Sequence, residues 1–455
     1  MRKLLRWIVA VPFGLMALLA IAIGAWHLFD RSPRPAPVGE TDTQFDLSRL
    51  LVLIDADMTA TAYADGNLVP IEGLNDMLIA IDDPGSAAPD ATRVPASNTV
   101  MGWPGAMTAD PAGRFAYVVE GRAPIDRSIQ QLENAFRDMP VGNRLTVVDL
   151  AAAAVVETVE VCERPNAVDI APSGDWLLIP CGDPDSELAV VALADGTVTE
   201  VRRFDLQVPD ITQRPVDAGL TYAMIHPDGA AAGIVQSNRG VALVRFELDA
   251  AGIPQAAVSE TPTILEDTWL TVGRWTRSGD HFLVADVAWG PSAPDALFNG
   301  RGHIISLALS PDDPSRGEVS RAVVSKSPEA FELNRPGDLL VAVNMERAYL
   351  PPGPFAVAPG QRASSLSLVA INDASGELET LTDPVGFRGM LPEDAAFDRD
   401  GDHLAVVIYQ DHDDLRSDGW VEFFGIERDG GRIAIVPTGR RIATPRGAHD
   451  LFALD

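Results

Sequence analysis

A chain of 455 residues, 46% apolar with 38 Gly and 35 Pro, can bury a sizeable core, as two or three average domains or as one large repeat-built domain. Its 65 Asp+Glu against 35 Lys+Arg leave a formal charge of −30, a surface that repels phosphate backbones and so excludes nucleic-acid binding. The same charge suits plain solubility, cationic partners or divalent ions.

Residues 1–29, "MRKLLRWIVAVPFGLMALLAIAIGAWHLF", open with Arg2, Lys3 and Arg6 ahead of an apolar run from Trp7 to Phe29. At about 1.5 Å per residue that run is long enough to cross a hydrocarbon core as a helix, and the basic flank predicts a cytoplasmic N-terminus. The expectation is a single-pass signal anchor in the cytoplasmic membrane, with the rest of the chain in the periplasm or outside the cell. The alternative is a cleaved signal peptide cut near "AIA" at 20–22, which would release a secreted protein. Residues 30–45 follow as a Pro-rich polar linker, expected to hold the domain clear of the bilayer.

From residue 46 onward no long amphipathic helix appears. The best helical stretch, "IDRSIQQLENAFRDM" at 125–139, reads as a loop insertion. The remainder is short strands with a recurring hairpin: "GAMTADPAGRFAYVV", "NAVDIAPSGDWLLIP", "TYAMIHPDGAAAGIV", "TVGRWTRSGDHFLVA", "EAFELNRPGDLLVAV" and "EDAAFDRDGDHLAVV". The turn glycines Gly113, Gly174, Gly229, Gly279, Gly337 and Gly401 lie 50 to 64 residues apart. Two further strands follow each hairpin, as in "ELAVVALADGTVTEVRRF". Four antiparallel strands per repeat is the pattern of a propeller blade.

The two ends make a seventh copy. "RGAHDLFALD" matches "RPNAVDIAPS" as a first strand without a partner, and "SRLLVLIDAD" is a second strand without a predecessor. The prediction is an all-β, seven-bladed propeller over residues 46–455, closed by strands from both termini and preceded by one transmembrane helix. Cys162 and Cys181 flank one hairpin, so antiparallel pairing would bring them together as a disulfide. Two buried thiols is the plainer alternative, and a metal pair lacks the spacing and a nearby His.

"NRLTVVDLAAAAVVETVEVCERPNAVDIAPSGDWLLI" resembles the YVTN-type repeat, a WD40-like pattern also found in lactonase-like propellers, over most of residues 100–450. It departs from that pattern at the Tyr-Val-x-Asn strand, which is closest in "YVVEG" at 117–121. The resemblance implies a fold used by hydrolases, electron-transfer subunits and binding modules alike. Covalent haem and nucleotide sites are not expected, because the chain lacks Cys-x-x-Cys-His, Gly-x-Ser-x-Gly, His-Glu-x-x-His, P-loop and Rossmann signatures.

First strands line a propeller's channel. Counting back from the turn glycines brings Asn166, Glu329 and Glu393 towards one mouth, with Asp169 and Asp450 deeper and His449 nearby. Such oxygen ligands suit a hard cation such as Ca²⁺, which would polarise a lactone or ester carbonyl beside Glu329 or Glu393 as catalytic group. A solvated polar channel is the simpler alternative. Arg164, Arg214 and Arg446 precede first strands and would either ring the mouth around an anionic ligand or pair with local acids. "FDRDGDH" at 397–403 reads as a hairpin turn, and "YQDHDDLRSDGW" at 409–420 as a hydrated acidic loop rather than a metal site. His281 and His403 share one repeat position and read as surface strand residues.

The leading expectation is therefore an exported, membrane-anchored module that binds a small ligand or a periplasmic protein without catalysis. The alternative is a lactonase-like, metal-dependent lactone or ester hydrolase. A third reading is the non-catalytic large subunit of a periplasmic dehydrogenase, resembling amine dehydrogenase heavy chains.

Overall fold

The computed structural model describes residues 2–39, 45–183, 185–212, 219–290, 298–351 and 358–455, with side chains from Leu15 onward. Seven antiparallel sheets of four or five strands form the blades of a propeller. Blade 1 starts at strand Met107–Ala109, blade 2 at Asp169–Ile170, blade 3 at Leu220–Ile225 and blade 4 at Leu270–Trp275. Blade 5 starts at Pro328–Leu333, blade 6 at Ala395–Phe397 and blade 7 at Ala448–Leu454. Neighbouring first strands contact one another in ring order around the axis.

Each blade follows the repeat read from the sequence. Middle strands such as Trp176–Pro180 and Arg49–Ile54 are apolar along nearly their whole length because they pack on a neighbouring blade through both faces. Outer strands such as Ala154–Glu160 are mostly exposed and alternate with polar residues. All six hairpin glycines have left-handed φ, between 65° and 79°, which a side chain would disfavour in so tight a turn.

Ring closure takes one strand from the C-terminus and three from the N-terminal region. Ala448–Leu454 pairs with Arg49–Ile54, Arg49 facing Leu454 and Leu53 facing Asp450, and strands Met77–Asp82 and Asp90–Pro95 complete the sheet. The predicted insertion at 125–139 is a loop with a single helical turn, Ala135–Asp138. His281 differs from its expected surface position. It is buried because the ring packs against Gly376, where a Cβ would lie 2.4 Å away.

Cys162 and Cys181 form a disulfide that brackets the first hairpin of blade 2. Closing a loop across a separation of 19 residues is worth about 3 kcal/mol through the unfolded chain. Chemical denaturation with and without reductant should differ by that amount, and coincident curves would show the bond to be energetically idle.

The helix α1 spans Arg2–Phe29. Among the described residues no helix is long and apolar enough to cross a membrane. Residues 30–39 lie along the propeller. Asp30 accepts from Lys326 Nζ at 2.9 Å and Arg347 at 2.8 Å, Ala36 donates to the Gly386 carbonyl, and Gly39 donates to that of Pro437. Trp26 packs 5.2 Å from Phe298 and beneath the Arg347 guanidinium.

Candidate functional site

The connections between blades and those between second and third strands emerge on one face of the ring. On that face their apolar residues, among them Met58, Val100, Tyr349, Met390 and Tyr409, gather into one buried cluster. Trp103, on the connection into blade 1, sits 6.3 Å from Trp289 of blade 4. Blades that far apart in the ring meet only over the axis, so aromatic side chains lid the channel on this side.

Under the lid lie Glu329 and Glu393, the two glutamates the repeat register picks out. They share a hydrogen bond between carboxyl groups, and they are 5% and 2% exposed. Burial raises both. Glu393, facing the Glu329 charge, goes well above the ordinary range and holds the shared proton, while Glu329 is pushed up to about 8. The native pair thus keeps a proton that the unfolded chain would release near 4.5. Its contribution to stability is full in acid and falls as pH rises through about 8. Glu329→Gln should flatten the melting temperature against pH across this window. A variant curve parallel to the wild type would contradict the shared proton.

The Asn166 amide nitrogen donates to the Leu220 carbonyl of blade 3 at 2.7 Å. Arg446 is 1% exposed, and its terminal nitrogens are spent on the carbonyls of Ala56, Leu68, Val69 and Leu415. It ties two loops together. Arg164 donates to Gly182 O at 2.5 Å, and Arg214 lies outside the described residues. The Asp398 carboxylate accepts from the amides of Asp402 and His403, as a structural turn requires. In the 409–420 loop, Asp411 and Asp413 are engaged by Arg388.

Asp169 and Asp450 sit elsewhere in the channel. With residues from all seven first strands they line a cavity of about 360 Å³ on the hairpin-turn side. Asp394, beside Glu393 in sequence, lines the same cavity, which Glu393 does not. It shares a hydrogen bond with Asp450 and carries the proton, since burial and the Asp450 charge raise it well above the usual carboxylate range. Asp450 accepts that proton and the amides of Gly105 and Met107; burial still pushes it up to about 6. Its Oδ2 is buried and has no hydrogen-bond partner.

Facing this pair is a cation. Arg274, from the first strand of blade 4, reaches Glu332 at 3.2 Å and donates to the Tyr222 hydroxyl. Burial pushes the Tyr222 phenol up to about 12, so it stays neutral and keeps a proton to donate. Gly105 makes room for it, because a Cβ there would lie 3.2 Å from the hydroxyl oxygen. The cavity therefore holds a base (Asp450), an acid (Asp394) and two donors fit for a developing oxyanion (Arg274, Tyr222).

No protein-family model matches the chain, and no curated protein does. Solved structures match across nearly their full length. A periplasmic gluconolactonase from Pseudomonas aeruginosa aligns at TM-score 0.53 and 14% identity, over 89% of this chain and 99% of its own. A candidate 6-phosphogluconolactonase from Bacteroides fragilis aligns at TM-score 0.56 and 14% identity, over 90% and 98%. A protein from Lactobacillus plantarum aligns at TM-score 0.56 and 13% identity, over 90% and 100%. The likeness is one of fold. This chain is a seven-bladed propeller whose structural neighbours include lactonase-like proteins.

Proposed function

We propose that this protein is a hydrolase of lactones or esters, working in the channel cavity on the hairpin-turn side. The carrying observation is the Asp394–Asp450 pair sharing one proton opposite Arg274 and Tyr222. A cavity of about 360 Å³ suits a sugar-sized ligand.

In the reaction the Asp450 carboxylate takes a proton from a water while the water oxygen bonds to the substrate's carbonyl carbon. The carbonyl oxygen gains the charge and is met by the Arg274 guanidinium and the Tyr222 hydroxyl. Collapse breaks the bond between the carbonyl carbon and the ring or ester oxygen, and Asp394 gives its proton to the leaving alkoxide. One water is consumed and a hydroxy acid, or an acid and an alcohol, results. The chain's own residues supply every proton transfer, and no metal is needed for the sequence of steps. The lactonase-like neighbours support the same reading.

Non-catalytic binding is the second reading, and one observation favours it. Asp169 accepts the Ile225 amide at 2.7 Å and Asp394 that of Leu451 at 3.0 Å, so channel carboxylates also tie each blade to the next. The deciding experiment follows acid release from sugar lactones and aryl esters. Wild type should accelerate it, and Thr108→Trp, which fills the cavity, should abolish the acceleration. Tight ligand binding without turnover would leave the binding module standing in its place.

The anchor belongs to the same proposal. Leu15, Leu18, Leu19 and Ile21 on α1 are each at least 60% exposed, an apolar surface that a bilayer would cover. Trp26 docks on the lidded face. With α1 in the cytoplasmic membrane and the propeller on its outer side, the cavity opens away from the lipid. Partition of the full chain into the membrane fraction, and its release when residues 1–29 are deleted, tests this.

A further inference from the structure

We propose that Asp55, Asp57, Asp76 and Glu120 form a site for one divalent cation, Ca²⁺ by its all-oxygen donors, that clasps the closing blade to blade 1. The channel chemistry does not use these residues.

Strand pairing places them. In blade 7, Ile54 faces Met77, so Asp55 and Asp76 are the next residues across the opening hairpin loop. Asp55 Oδ1 accepts the Asp57 amide at 2.8 Å, which folds Asp57 back over its neighbour. One carboxylate oxygen from each of the three lies within 4.8 Å of the others. That is the spread of ligands around one ion at about 2.3–2.6 Å. All three residues are buried. Three buried carboxylates in contact repel one another and lose hydration, a cost that the Arg446 charge near Asp55 and the Arg127 charge near Asp57 oppose.

A second, independent observation points to a ligand. Asp57 and Asp76 open onto a cavity of about 300 Å³ between blades 7 and 1, and Glu120 lines the same cavity from the second strand of blade 1. Glu120 is 2% exposed, and its Oε2 has no hydrogen-bond partner. Glu120 is thus a fourth buried carboxylate, with an unpartnered oxygen, on the cavity that Asp57 and Asp76 line. Two arginines line the same cavity: Arg127, whose terminal nitrogens donate to Ile71 O and Asn75 Oδ1, and Arg144, which faces Glu120 across the strand pair.

The remaining lone pairs are already oriented. Asp55 Oδ2 accepts the Val100 amide at 2.9 Å, and Asp76 Oδ1 accepts that of Ala56 at 2.9 Å. These bonds hold the carboxylates in place before any ion arrives, so little ordering has to accompany binding. The clasp would join the blade built from both chain ends to the first blade of the ring.

The test is calorimetric titration of the full chain, stripped with chelator, with CaCl₂ and separately with MgCl₂. One Ca²⁺ per chain is expected, with a higher melting temperature in its presence. Asp57→Asn and Glu120→Gln should each weaken binding by more than about 10-fold, the low end of what losing even an outer-shell partner costs. Circular dichroism verifies the folding of both, and Glu120→Gln carries the test if Asp57→Asn does not fold. No Ca²⁺ binding, tighter Mg²⁺ binding, or wild-type affinity in a folded variant would overturn the proposal. Hydrolysis assayed in chelator reads the channel separately.

Discussion

Asp450→Asn should lower kcat/KM for lactone hydrolysis by about 10³-fold, within the range that a positioned general base supplies. The amide keeps the shape and can still meet Asp394, but it cannot take a proton from water. The channel should survive the change, because the Asn oxygen can still accept the Gly105 and Met107 amides. A folded Asp450→Asn protein with wild-type turnover would remove the base from the mechanism. Arg274→Met would lose the oxyanion donor but also strand Glu332, so Asp450→Asn is the cleaner variant.

Deleting residues 446–455 should abolish cooperative folding. The strand Ala448–Leu454 is the innermost of blade 7 and pairs along the whole of Arg49–Ile54. Without it, that apolar strand becomes an open edge at the axis, able to pair with a second chain. The deletion also removes the buried Ala448 and Leu451, the His449 bond to Asn98 and the Arg446 tie between loops. Against a total stability of about 5–15 kcal/mol, losing one wall of the ring leaves no margin. Aggregation or a non-cooperative melt is expected. A soluble truncated chain melting near the wild-type temperature would contradict the closure.

The architecture was legible because it repeats. Six turns with glycine at one position, and strands apolar without alternation, point to blades stacked face to face. The unmatched half-hairpins at the two ends then require closure. The disulfide followed from the same register. The site was legible only in part. Glu329 and Glu393 come together as the register implies, but under an aromatic lid that no local pattern announces, since Trp103, Trp289 and Tyr349 come from three separate connections. Asp394 adjoins Glu393 just ahead of the strand Ala395–Phe397, where no strand alternation marks which of the two faces the hairpin-side cavity. Tyr222 reads as one more core aromatic until Arg274 of the next blade reaches it. Asp55 and Asp76 are 21 residues apart in sequence and meet only because the hairpin register sets them opposite. Arg446 looks like a ligand residue by position. Its burial depends on a loop that arrives from the other end of the chain.

The central claim is that a carboxyl pair in the hairpin-side cavity hydrolyses a carbonyl substrate. The pH dependence of kcat/KM for lactone opening tests it most directly. The rate should rise as Asp450 loses its proton, with an apparent midpoint of about 6, and that rise should vanish in Asp450→Asn. No acceleration over buffer at any pH, or a wild-type profile unchanged by Asp450→Asn, would contradict it.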